Sequence, residues 1–140
     1  MNQEGATALV SEIEAAWNSH DMSRFAASFA ADADFVNVVG EWMRGRDQIE
    51  NEHAAMHAGQ FKDSTMRLEL AASREIGPGV GVMHVRWWLD GHGPSGPTRT
   101  TAIRRGIWSW TVRDEGGKLE VVSSHNTDML ATSQDAHPQE

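Results

Sequence analysis

Residues 17–49 read WNSHDMSRFAASFAADADFVNVVGEWMRGRDQI, and this stretch decides how the rest of the chain is arranged. Trp17 closes an apolar stripe of Leu9, Val10, Ile13 and Ala16, whose three- and four-residue steps predict an amphipathic helix from about Gly5. Asp21 stands where an N-cap is needed for a second, short helix with Met22, Phe25, Ala26 and Phe29 on its inner side. Asp34 to Val39 reads as a strand, and Gly40 as the turn into a short return strand at Trp42 and Met43. Gly45 to Asp47 opens a third helix that reaches about Ala58. Asn37 is the one polar side chain in the run Phe35 to Val39. A buried amide there must find partners or face a cavity, since leaving it unpaired costs roughly 1–3 kcal/mol.

Outward from this stretch the chain turns to strands. Met66, Leu68, Leu70 and Ala72 alternate with Thr65, Arg67, Glu69 and Ala71, the pattern of a half-buried strand. Gly77-Pro78-Gly79 turns the chain into a second long strand, Val80 to Leu89. After the Gly91–Pro97 loop come a third strand, Thr98 to Val112, a hairpin at Asp114–Gly117, and a fourth, Leu119 to Asp128. Helices first and a meander afterwards predict an α+β fold: three N-terminal helices packed on a curved mixed or antiparallel sheet, leaving a cone with an open mouth. Residues 1–130 read as one domain, and residues 131–140 as a polar, disordered tail.

Composition narrows the function classes. A chain of 140 residues can bury one sizeable core, and no apolar run approaches a membrane span. Met1 to Gly5 lacks a basic region followed by a hydrophobic one, so no secretion signal is read. Cysteine is absent, which removes disulfides and thiol chemistry and, with the missing signal, predicts a cytoplasmic protein. A net charge of −8 speaks against a nucleic-acid surface. Six tryptophans without one tyrosine supply large apolar faces for a pocket or an interface. Trp17, Trp42 and Trp88, with Phe35, are the aromatic pocket candidates.

The motifs Ala16-Trp17-Asn18-Ser19-His20-Asp21, Phe29-Ala30-Ala31-Asp32-Ala33-Asp34-Phe35-Val36-Asn37, Arg44-Gly45-Arg46-Asp47-Gln48-Ile49 and His125-Asn126-Thr127-Asp128 carry a resemblance. The chain is similar to the nuclear-transport-factor-2-like superfamily in its SnoaL-like branch, and most to the SgcJ/EcaC-type group. That resemblance implies a cone paired as a homodimer through the outer sheet face, with late tryptophans between subunits. It also implies a role in polyketide-like secondary metabolism. Fold likeness alone does not give an activity, because this superfamily holds enzymes and binding modules alike.

The alternation of faces, taken together with the resemblance, offers one preferred site. Leu119, Val121, Ser123 and His125 share a face of the last strand, and the first two are apolar, so that face is read as inward. His125 then meets Asn37 in the cone, a histidine for proton transfer beside an amide that orients a carbonyl or a water. Asp128 would orient the histidine or pair with an arginine. Arg105 is the pocket arginine on the third strand, where either row can face in and a bulge would exchange them. His53 and His57, at i and i+4 on the third helix, are read as lining the mouth. Their spacing can bind zinc, but no third ligand is evident, so no metal is assigned.

Other chemistries find less support. No glycine loop for phosphates or redox-cofactor motif is present, so the reading carries no cofactor. The steroid isomerases of the superfamily place a carboxylate base where this chain has Asn37, and an oxyanion-stabilising tyrosine where it has Ile13. An amide does not take a proton as a carboxylate does, and an aliphatic chain donates nothing. The functional expectation is therefore a pocket for an apolar small molecule, used for metal-independent acid–base chemistry of the cyclase, isomerase or dehydratase type. The rival is a non-catalytic ligand-binding or assembly module.

Overall fold

Helix α1, Gln3–Asn18, forms because one stripe of its surface is apolar and its first turn is capped. Asn2 Oδ1 accepts from Gly5 N at 2.7 Å, and Ala6, Leu9, Val10, Ile13, Ala16 and Trp17 are all buried. Helix α2, Met22–Ala26, starts on the expected cap, with Asp21 Oδ1 accepting from Arg24 N at 3.0 Å. Strands β1 (Phe29–Val36) and β2 (Trp42–Arg44) precede helix α3 (Arg46–Ala58). Four longer strands follow: β3 (Thr65–Gly77), β4 (Val80–Asp90), β5 (Arg104–Glu115) and β6 (Lys118–Asp128). The computed structural model describes residues 1–130, so the expectation for 131–140 lies outside the described residues.

The fold is α+β: the helices sit on a curled six-stranded sheet of order β2-β1-β6-β5-β4-β3. β1 and β6 run parallel and every other neighbouring pair is antiparallel. Helix α1 guards the exposed edge of β3 with side chains. Asn18 accepts from Met66 N at 2.7 Å and donates to its carbonyl at 2.9 Å, and Glu14 accepts from Leu68 N at 2.8 Å. The core fills the space between, with Ile13, Phe25 and Phe29 meeting Met83, Val85 and Trp110 of the inner sheet face. Among the described residues no helix is long and apolar enough to cross a membrane.

Three sequence expectations shift. β1 ends at Val36, before Asn37, because that residue ties a turn instead of a ladder. Asn37 Oδ1 accepts from Val39 N at 3.1 Å and Glu41 N at 2.9 Å, while its Nδ2 donates to Glu41 Oε1 at 2.9 Å. β5 starts at Arg104 rather than Thr98, since Gly96 and Arg99 take left-handed backbone and fold the preceding residues into a tight loop. Finally, β6 carries an extra residue between Val121 and Ser123, which face Val112 and Thr111, two consecutive positions of β5. Beyond that bulge the inward row passes to Ser124 and Asn126, and His125 turns outward.

Candidate functional site

A cavity of about 370 Å³ opens between the helices and the inner sheet face. Its walls are aromatic and sulfur-rich: Trp17 from α1, Phe35 from β1, His53 and Met56 from α3, and Trp87 and Trp108 from the sheet. Phe61, Met66 and Leu89 complete the apolar lining. Val39, Glu41, Pro97 and Arg99 are exposed residues of the same lining and so form its mouth. The size lies near the lower end of small-molecule pockets.

The inner rows of β4 and β5 place its polar end. Gly106 lets the Trp87 indole lie against the sheet: a Cβ there would come within 2.5 Å of that ring and 2.1 Å of the Thr127 carbonyl. Trp87 Nε1 donates to Asn126 Oδ1 at 2.6 Å. An indole N–H can only donate, so this bond fixes the amide, and Nδ2 is left as a donor in a cavity-lining side chain. Arg104 is buried beside it. Its Nε donates to Asp128 Oδ2 at 2.9 Å, Nη2 reaches the same oxygen, and Nη1 donates to Ser95 Oγ at 2.8 Å. Ser95 Oγ also lies 3.0 Å from His92 Nδ1, and the His92 ring sits between two carbonyls, with Nδ1 2.7 Å from that of Gly93 and Nε2 2.9 Å from that of Ala102. This network holds the loop between β4 and β5 against the polar end.

His53 provides the opposite polarity. Its Nδ1 donates to the Ile49 carbonyl at 2.8 Å, which leaves Nε2 as a lone-pair acceptor in the neutral ring. Burial lowers its pKa from 6.5 to about 4, with the Ile49 bond acting in the opposite sense. At neutral pH the cavity therefore carries an uncharged imidazole together with an amide donor.

The expected site residues fall into two groups. Trp17, Phe35, Asn37 and His53 all line the cavity. Trp42 does not: it is half exposed, donates to Asp34 Oδ1 at 2.8 Å, and lies under the Arg44 guanidinium. Trp88 and Arg105 belong to the outer rows of β4 and β5, because the inward rows are those of Trp87 and Arg104. His57 is buried behind Trp17, with its Nδ1 2.8 Å from His20 Nδ1, and is not part of the cavity wall. His125 is exposed by the β6 bulge. It shares with Asn37 a shallower hollow outside the mouth, while Asp128 pairs with Arg104.

Sequence reasoning missed Asn126, Arg104 and Ser95. A signal existed for Arg104, since Gly106, Trp108, Trp110 and Val112 continue its row and are all buried. The described residues hold no group of three His, Cys, Asp or Glu side chains placed to share a metal ion.

Comparison with known proteins places this geometry. A family model described as a SnoaL-like domain matches residues 10–121. Among curated protein sequences none matches the chain. The solved structure of an uncharacterized Caulobacter vibrioides protein with a cystatin-like fold is similar, at 29% identity and a TM-score of 0.83 over 96% of this chain and 94% of that one. An NTF-2 like protein from Shewanella oneidensis is similar at 14% identity and a TM-score of 0.74, covering 91% of this chain and all of that one. A ketosteroid isomerase-like protein from Erwinia carotovora shares the fold at 12% identity, with a TM-score of 0.71 over 94% of this chain and 100% of that one.

Proposed function

The chain belongs to the SnoaL-like domain family, and on that premise we propose that it is a cytoplasmic small-molecule pocket protein acting by acid–base chemistry. Its ligand is mostly apolar and ring-sized, with a carbonyl or hydroxyl oxygen held at the Asn126 end. The observation that carries this reading is the Trp87–Asn126 bond, which leaves an oriented donor beside apolar walls. Such a donor stabilises negative charge developing on a substrate oxygen, and the neutral His53 ring supplies a proton acceptor. Cyclisation, isomerisation and dehydration all need that pair of roles. The motifs of the SgcJ/EcaC-type group support a place in polyketide-like secondary metabolism. The rival is a carrier or assembly module using the same cavity without turnover.

The test begins with native mass spectrometry of the protein from its own host, to identify the bound compound. Asn126→Asp then keeps the acceptor for Trp87 and the side-chain size but replaces the donor with a negatively charged acceptor. It should bind that compound with an affinity loss of about 1–3 kcal/mol by calorimetry, at nearly unchanged melting temperature. Unchanged affinity would remove the Asn126 end from the site. Turnover of the compound by wild type separates the enzyme from the carrier.

Pairing belongs to the same proposal. The outer sheet face presents Trp88 and Ile107, the latter 40% exposed, and supports a homodimer built on that face. Light scattering at micromolar concentration should read about twice the 15.4 kDa chain mass, and a monomer would remove the dimer.

A further inference from the structure

Arg99 stands at the mouth of the cavity with backbone that suits another residue. Ser95 and Thr100 bridge across a tight loop, closed by Ser95 N donating to the Thr100 carbonyl and Arg99 N to the Gly96 carbonyl, each at 3.1 Å. Arg99 occupies the left-handed position of this loop, with φ of +54°. Glycine or asparagine fits that position without strain, whereas an arginine there is strained. Residues that break a local rule concentrate where function demands a particular side chain.

The side chain has nothing else to do in the fold. No hydrogen bond or ion pair engages the Arg99 guanidinium among the described residues. Arg104, the other cation of the cavity lining, is neutralised by Asp128. Glu41 shares the mouth, with Oε1 accepting from Asn37 Nδ2. One uncommitted guanidinium beside an apolar cavity matches a single negative charge on an apolar body. A phosphate dianion would call for a second unpaired cation or a helix N-terminus, whereas Arg104 is already held by Asp128 and the lining includes no helix N-terminus.

We infer that the ligand is a monocarboxylic acid, with its ring or branched body among the tryptophans and its carboxylate on Arg99. This rests on the reading of the cavity as a ligand pocket and names the chemical class it takes.

The experiment uses displacement of the neutral fluorophore N-phenyl-1-naphthylamine by matched pairs: benzoate and benzamide, 2-naphthoate and 2-naphthamide, cyclohexanecarboxylate and its amide. At low salt the acid of at least one pair should bind about tenfold more tightly than its amide, and added salt should shrink the gap. Arg99→Gly should abolish that preference by weakening the acid to about the level of its amide. Because glycine relieves the left-handed backbone, its melting temperature should equal or exceed that of wild type. Arg99→Lys retains the charge and should keep most of the preference. Equal binding of acid and amide, or a preference that survives Arg99→Gly, overturns the carboxylate assignment while leaving the pocket in place. If no member of any pair displaces the fluorophore, the pocket reading falls with it.

Discussion

Replacing Trp17 with alanine is expected to lower stability by about 3–5 kcal/mol in a urea melt. The indole is 4% exposed and joins three elements. It meets Phe25 of α2 at 6.0 Å between ring centroids, His57 of α3 at 4.4 Å and Phe61 at 5.2 Å. Its Nε1 donates to Ser64 Oγ at 3.0 Å, and that hydroxyl donates on to the Phe61 carbonyl at 2.8 Å. Alanine removes the contacts and the bond together, and the void opens onto the existing cavity. A loss within half a kilocalorie would mean that the indole is no packing hub.

The same variant has a second readout in pH. Folded His53 titrates near 4 because burial disfavours its charge, while the unfolded ring titrates near 6.5. Between those values the unfolded chain binds more protons. The stability held by the neutral ring is therefore complete above pH 6.5 and lost as pH falls toward 4, by about 3 kcal/mol. His57 is lowered to about 4 as well, by burial first and by His20 and His53 after it, so it acts in the same direction. Trp17→Ala admits water beside both rings and should flatten this acid limb. An equally steep limb in the variant would place the cause of desolvation elsewhere.

The helices were legible because their signals are local. The stripe ending at Trp17 and the cap at Asp21 need only neighbours within a few residues, and both stand where they were expected. Asn37 was half legible: an amide in an apolar run marks a special position, but Gly40 and Glu41 make it a turn residue at the cavity's edge. The site's polar end was not legible, for a reason of period. Strand residues alternate faces, so one extra residue in Val121-Val122-Ser123-Ser124 exchanges every side chain beyond it. Nothing in that run says which residue is extra, and His125 and Asn126 traded places. Arg104 and Arg105 pose the same problem, decided by the buried Gly106–Val112 row.

Asp128 carries the other large effect. Arg104 and Asp128 are 5% and 6% exposed, and the guanidinium also lies 5.4 Å from the Trp87 ring centroid. Asp128→Ala leaves a buried cation without its counter-charge, at a cost of about 3–5 kcal/mol. The geometry predicts more than a loss, because the cost comes from the stranded charge rather than from the missing contact. Arg104→Met combined with Asp128→Ala removes both charges, and should recover most of the stability lost in the single variant. A double variant as unstable as Asp128→Ala would show that packing, and not charge, makes the pair necessary. Binding offers a check of opposite sign. Asp128→Asn keeps the shape but unmasks the Arg104 charge inside the cavity lining, so the fold weakens while carboxylate probes bind more tightly than to wild type. If their affinity falls in step with stability, Arg104 belongs to the scaffold of the loop and does not face the ligand.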